Sequence, residues 1–162
     1  MAINLGELIN KLNTERYLGI VVFGDALCGK TTYVKKFIGL NTNLNLVYLD
    51  AQELFEKHPN TEKLLAYPPK EFMEWIQQII KDNIDKKVDA VFLDNMEALY
   101  NIWSPQKQNE FIDRRAQRIE KSAFNIPIIT IIQSDDKIQK LYNEQSSESF
   151  KRIISFNELI YL

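Results

Sequence analysis

One cysteine, Cys28, and one histidine, His58, are all that 162 residues contain of either type. A single thiol excludes an intramolecular disulfide framework and any multi-cysteine zinc site. A single imidazole argues against a histidine-based metal cage. Long apolar runs are also missing. The longest, residues 20–23 and 126–132, fall far short of the roughly 18–20 residues that a membrane span needs. The opening Met-Ala-Ile-Asn-Leu-Gly-Glu lacks the basic-then-apolar layout of a secretory signal. Charge excess is missing as well: 20 Lys+Arg face 22 Asp+Glu, for a net charge of -2. That balance argues against generic nucleic-acid binding, while leaving room for a local basic face. No repeat, low-complexity block or Pro/Gly/Ser linker divides the chain. The expectation is a soluble, cytoplasmic protein without membrane contact, folded as one domain over residues 1–162. A chain of this length buries roughly 68–70% of its unfolded surface, enough for a real core.

What is present alternates between two periodicities. Leu5, Leu8, Ile9 and Leu12 recur at helical spacing and predict a short amphipathic helix. Residues 18–23 form a β-branched apolar run, read as a buried strand. A helix over residues 31–38 follows, stopped at Gly39. Residues 46–49 predict a second strand closing on Asp50. Pro68-Pro69 opens a helix reaching about Ile84, with Phe72, Ile76, Ile79 and Ile80 on its apolar face. Residues 90–93 predict a third strand ending at Asp94. Ser104-Pro105 is a cap followed by a first-turn proline, and the helix it opens runs to about Ser122 with Phe111, Ile112, Ile119 and Ala123 inward. Residues 128–132 predict a fourth strand, residues 136–142 one or two helical turns, and residues 153–156 a fifth strand. Buried strands alternating with helices predict an α/β fold: a three-layer αβα domain on a five-stranded, mostly parallel sheet. Ligands of such sheets bind beyond the carboxyl ends of the strands. The chemistry is therefore expected at Gly24 onward, Asp50, Asp94 and Gln133.

Gly24-Asp25-Ala26-Leu27-Cys28-Gly29-Lys30-Thr31 matches G-x-x-x-x-G-K-[ST]. Its glycines let the backbone turn tightly around a phosphate, and successive N–H groups bind anionic oxygen. Lys30 reaches the β- and γ-phosphates and the Thr31 hydroxyl ligates Mg²⁺. Thr32 continues the helix N-terminus, whose open N–H groups and positive dipole end favour an anion. With glycine near ~7% of residues, such a match arises by chance roughly once in a few hundred chains of this size. Here it also sits between an expected strand and an expected helix. Cys28 reads as a small side chain facing away from phosphate.

The loop needs an acid at a strand end to hold Mg²⁺ through water. Asp94, 64 residues after Lys30, is favoured. Asp50 is the rival, its alternative role being to cap a helix starting near Ala51. Gln133, at the end of the fourth strand, either senses a γ-phosphate and orients water or merely ends the strand. Arg114, Arg118 and Lys121 share a helix face with Arg115 nearby, read as a solvated face or as a contact to another subunit or to DNA phosphates. Trp75 and Trp103 read as core or interface residues.

The loop, the block Leu93-Asp94-Asn95-Met96-Glu97 and the count of five strands resemble the AAA+ ATPase core. The Asp-Asn-x-Glu variant is similar to some initiator-related members of that superfamily. More specifically, the chain resembles BrxF, the family of small P-loop proteins of bacterial phage-exclusion (BREX) systems. The shared features are a bare core of about this size, the same block extended through Leu99-Tyr100, and an ending like Glu148-Ser149-Phe150-Lys151-Arg152 followed by Asn157-Glu158-Leu159-Ile160. Residues 39–87 carry no such signature. The resemblance implies ATP or GTP binding with Mg²⁺, assembly into a homo-oligomeric ring or filament, and antiviral defence beside other proteins of such a system, with any DNA contact indirect. Related ATPases usually place a water-activating Glu directly after the metal-side acid. Here Asn95 holds that position, and Glu97 is either the base or a solvated acid at a helix start. In a ring, Arg152 would be an arginine finger reaching the neighbour's γ-phosphate. The chain ends about six residues past the fifth strand, so no helical lid is expected, and neighbouring subunits or a partner are expected to complete the site. The functional expectation is a nucleotide switch or weak ATPase. The alternatives are a small-molecule kinase, cued by Asp50, and a non-hydrolysing adaptor.

Overall fold

The computed structural model describes residues 2–66, 68–83, 87–114, 126–145 and 151–161. Five strands form one sheet in which every pairing is parallel: β1 (Gly19–Gly24), β2 (Leu46–Asp50), β3 (Ala90–Asp94), β4 (Ile128–Gln133) and β5 (Ile153–Ser155). Their order across the sheet is β2-β3-β4-β1-β5. The loop-bearing strand β1 and the acid-bearing strand β3 are thus separated by β4, and all their carboxyl ends lie on one edge.

Side-chain alternation along the strands divides the core in two. On one face, Ile20, Val22, Phe92, Ile129, Ile131 and Ile154 pack with α1 (Leu5–Leu12) and α2 (Lys30–Leu40). On the other, Val21, Phe23, Val91, Leu93, Ile128 and Ile132 pack with most of the remaining helices. Those are α3 (Ala51–Lys57), α5 (Pro68–Asn83), α6 (Glu97–Tyr100), α7 (Pro105–Asp113) and α8 (Asp136–Glu144), while α4 (Thr61–Ala66) lies against α5. The central strands β1, β3 and β4 read as continuous apolar runs because helices cover both of their faces.

The helix starts follow from local chemistry. Asn4, Asp50, Ser104 and Asp135 each accept first-turn N–H groups with a side-chain oxygen, satisfying donors that the helix leaves unpaired. The expected stop at Gly39 is overturned. α2 runs through Gly39 to Leu40 and ends where the Asn41 side-chain amide donates to the Phe37 carbonyl at 2.8 Å. α4 and α6 lack an expected counterpart because they are too short to show a period. The fifth strand is shorter than expected, with Phe156–Glu158 forming a 3-10 turn. The helix opened by Ser104-Pro105 is described to Asp113, so Arg115, Ile119, Lys121 and Ala123 lie outside the described residues, as do Arg118 and Glu120. The blocks through residues 146–150 and at Ile84 do as well. Among the described residues, no helix is long and apolar enough to cross a membrane.

Candidate active site

The carboxyl edge of the sheet holds a cleft of about 440 Å³ lined by Ala26, Leu27, Cys28, Gly29, Lys30, Thr31 and Thr32 from the loop and α2, Asp94, Asn95 and Glu97 from the end of β3, and Gln133 from the end of β4. Strand register puts these ends side by side: Gly24 is opposite Gln133, and Asp50 is opposite Asp94.

The loop is built around two left-handed residues, Leu27 at φ 58° and Gly29 at φ 92°. Gly29 caps α2 without a side-chain hydrogen bond, so the first-turn N–H groups of an eleven-residue helix are open at the cleft. Leu27 is a less obvious occupant of such a backbone. A branched residue there costs on the order of 1–2 kcal/mol, and its side chain is fully exposed at the loop tip. Gly24 has a steric reason to lack a side chain: a Cβ there would lie 2.9 Å from Phe156 Cβ and 3.1 Å from Cys28 Sγ.

Lys30 folds back over the loop. Its ammonium donates to the carbonyl oxygens of Gly24 at 3.0 Å and Asp25 at 2.6 Å. Asp25 therefore takes part through its backbone. The exposed Cys28 thiol sits 3.7 Å from the Lys30 ammonium.

Asp94 is only 2% exposed and is held by three donors. The Thr31 hydroxyl donates to Oδ2 at 2.7 Å, the Tyr48 hydroxyl donates to the same oxygen at 3.0 Å, and the Asn95 N–H donates to Oδ1 at 2.8 Å. Burial first, and the Asp94 carboxylate second, push the Tyr48 hydroxyl well above its ordinary range. It therefore remains a proton donor at every physiological pH.

The two strand-end acids differ in their surroundings. Asp50 accepts the Gln52 and Glu53 N–H groups on Oδ1, at 3.0 and 3.2 Å, and the Asn95 side-chain amide on Oδ2 at 2.6 Å. Both of its oxygens are engaged in capping α3 and in tying β2 to β3. Asn95 itself adopts φ 55°, a conformation asparagine tolerates better than most residues. With its side chain spent on Asp50, the acid that lines the cleft beyond Asp94 is Glu97, the first residue of α6.

One expected site residue lies elsewhere. The Arg152 guanidinium donates to the carbonyls of Tyr17 at 2.7 Å and Gly19 at 3.4 Å and pairs with Glu15 at 3.4 Å. It is 8% exposed, at the amino edge of the sheet. An arginine finger must project its charge outward, and this one is consumed inside its own chain. Arg114 pairs with Glu110 at 3.0 Å on an exposed helix face. Trp103 is buried against Phe111 and Phe72, and Trp75 packs on His58 and Phe72, so both belong to the core.

Sequence reading missed Tyr48 and the Asn95–Asp50 tie. The available signal was alternation: Tyr48 and Asp50 share one face of β2, and Phe92 and Asp94 share one face of β3. Using it requires knowing that β2 and β3 are neighbours in this register. Among the described residues, no group of three or more His, Cys, Asp or Glu side chains could hold a metal ion. No protein-family model matches the chain, and no curated protein matches it at a significant level.

Proposed function

We propose that the chain is a P-loop NTPase core of the AAA+ type, binding ATP with Mg²⁺ and working as a nucleotide switch or weak ATPase. One observation carries this reading. The hydroxyl of Thr31 and the carboxylate of Asp94, 63 positions apart in the chain, meet at 2.7 Å at the mouth of a glycine loop. The position of β4 between the loop strand and the acid strand is what the additional-strand class of NTPases would require. The donor set fits Mg²⁺, which prefers oxygen ligands and is commonly held by one or two protein groups plus phosphates and water. Thr31 and Asp94 would hold it, and it would neutralise phosphate charge.

In this reading Lys30 exchanges its two loop carbonyls for β- and γ-phosphate oxygens, a charge-assisted contact in place of neutral ones. The N–H groups of residues 29–32 receive phosphate oxygens. Glu97 is the candidate base for water, with Gln133 placed to orient it. The kinase alternative loses its cue, because Asp50 has both oxygens occupied. The resemblance to BrxF adds the rest of the proposal: self-association, and service beside other proteins of a phage-exclusion system.

Calorimetry with ATP and GTP, with Mg²⁺ and with EDTA, tests the core of this reading. Micromolar to millimolar affinity that strengthens with Mg²⁺ is expected. Absence of binding by any nucleotide would select the adaptor alternative. Sizing at several protein concentrations with and without ATP·Mg²⁺ tests assembly, and Glu97→Gln tests the base: unchanged turnover removes Glu97 from that role.

A further inference from the structure

We infer that Tyr48 is a positioning residue for Asp94, holding the carboxylate oxygen that faces Thr31 so that the pair is set to receive a divalent cation. The inference rests on the Mg²⁺-nucleotide reading of the cleft and deepens it.

Oδ2 of Asp94 takes two hydroxyl donors, Thr31 at 2.7 Å and Tyr48 at 3.0 Å, while Oδ1 takes the Asn95 N–H at 2.8 Å. The two hydroxyls are not equivalent. Thr31 stands at the loop and must serve both the carboxylate and a cation with one oxygen. Tyr48 stands on the edge strand β2 and serves the carboxylate alone. Its ring is fixed without help from the cleft: it packs on the core face shared with α1 and α2, and the Lys35 ammonium lies 5.0 Å from the ring centroid. The half-buried ring thus carries the hydroxyl to Asp94 while resting against α2, the helix that carries Thr31. A phenylalanine would fill the strand position and satisfy the packing. What the hydroxyl adds is the hydrogen bond to Asp94. Outer-shell partners of this kind typically change metal affinity by about 10–100-fold when removed.

The test is Tyr48→Phe, with ribose-labelled fluorescent ATP titrated in EDTA and across a Mg²⁺ series, and Mn²⁺ binding to the nucleotide-loaded protein followed by electron paramagnetic resonance. Affinity in EDTA should stay within about twofold of the parent, while the Mg²⁺ and Mn²⁺ midpoints rise by about tenfold. Equal metal midpoints in variant and parent overturn the inference, as does an equal loss with and without metal, which marks a merely structural role. A parent protein whose binding ignores Mg²⁺ overturns the underlying reading, an outcome visible before any variant is made. Asp94→Asn supplies a second check. In that background Tyr48→Phe should change the metal midpoint no further, since the two residues act through one contact. Additive effects overturn it.

Discussion

The two edges of the sheet use the same kinds of residue to opposite ends. At the amino edge, Arg152 is nearly buried, with its guanidinium on two carbonyls and a carboxylate. Gln145 closes the same corner: its side-chain oxygen accepts the N–H groups of Arg152 and Ile153, and its amide donates to the Ile153 carbonyl. At the carboxyl edge, Lys30 also sits on two carbonyls, but those belong to a loop bordering an open cleft. A buried cation with acceptors fixed in β-structure is a fastener. A cation resting on loop carbonyls beside open helix N–H groups can trade them for a better anion. Position relative to solvent, rather than residue type, separates the locked charge from the exposed one here.

The largest effect expected from this contrast is at the amino edge. Arg152→Ala should destabilise the fold by about 3 kcal/mol, because it strands acceptors in a nearly closed corner. Urea unfolding measures it, and nucleotide affinity of the folded protein should be unchanged. Unchanged stability with lost turnover would break the contrast and return Arg152 to the active site. Next, Lys30→Ala should weaken ATP binding by roughly 10–100-fold, the worth of a charge-assisted hydrogen bond, while unfolding stability moves by no more than about 0.5 kcal/mol. A large stability loss would show that Lys30 is a fastener too.

Asn95→Ala should cost about 1–2 kcal/mol, combining a lost hydrogen bond to Asp50 with a side chain forced into a positive φ. Asn95→Gly relieves the backbone part and should recover about half. If both variants match the parent in thermal unfolding, the tie between β2 and β3 does not hold the acid in place.

The smallest effect is one of pH. Tyr100 donates to Asp135 at 3.0 Å, and its hydroxyl is raised above the ordinary range, by burial first and the Asp135 carboxylate second. The unfolded chain releases this proton near about pH 10 while the folded one retains it. The contribution is therefore complete below that pH and lost as pH rises toward the folded value. Tyr100→Phe should flatten the alkaline decline of the melting temperature, and an unchanged slope would exclude this hydroxyl as a contributor.

Much of the fold was legible in advance because its signals are local. The apolar runs at residues 18–23, 90–93 and 128–132 are covered on both faces, and such strands need no partner to be recognised. The caps at Asp50 and Ser104 act within three residues. Gly39 misled because a helix tolerates one glycine at modest cost when a following residue such as Asn41 supplies the stop. That Asp50 and Asp94 each end a strand was legible, but the burial of Arg152 was not. Its sequence neighbours resemble a functional block, whereas its fate depends on Glu15, Tyr17 and Gly19, more than a hundred residues away.

The chain by itself determined the loop, the alternation that builds a covered parallel sheet, and the polar residues waiting at strand ends, since each depends on neighbours within a few residues. Only the tertiary structure decided which acid meets Thr31, which hydroxyl steadies that acid and which arginine is locked away. Those outcomes depend on strand order and register, and a shift of one residue in register would turn every one of those side chains to the other face of the sheet.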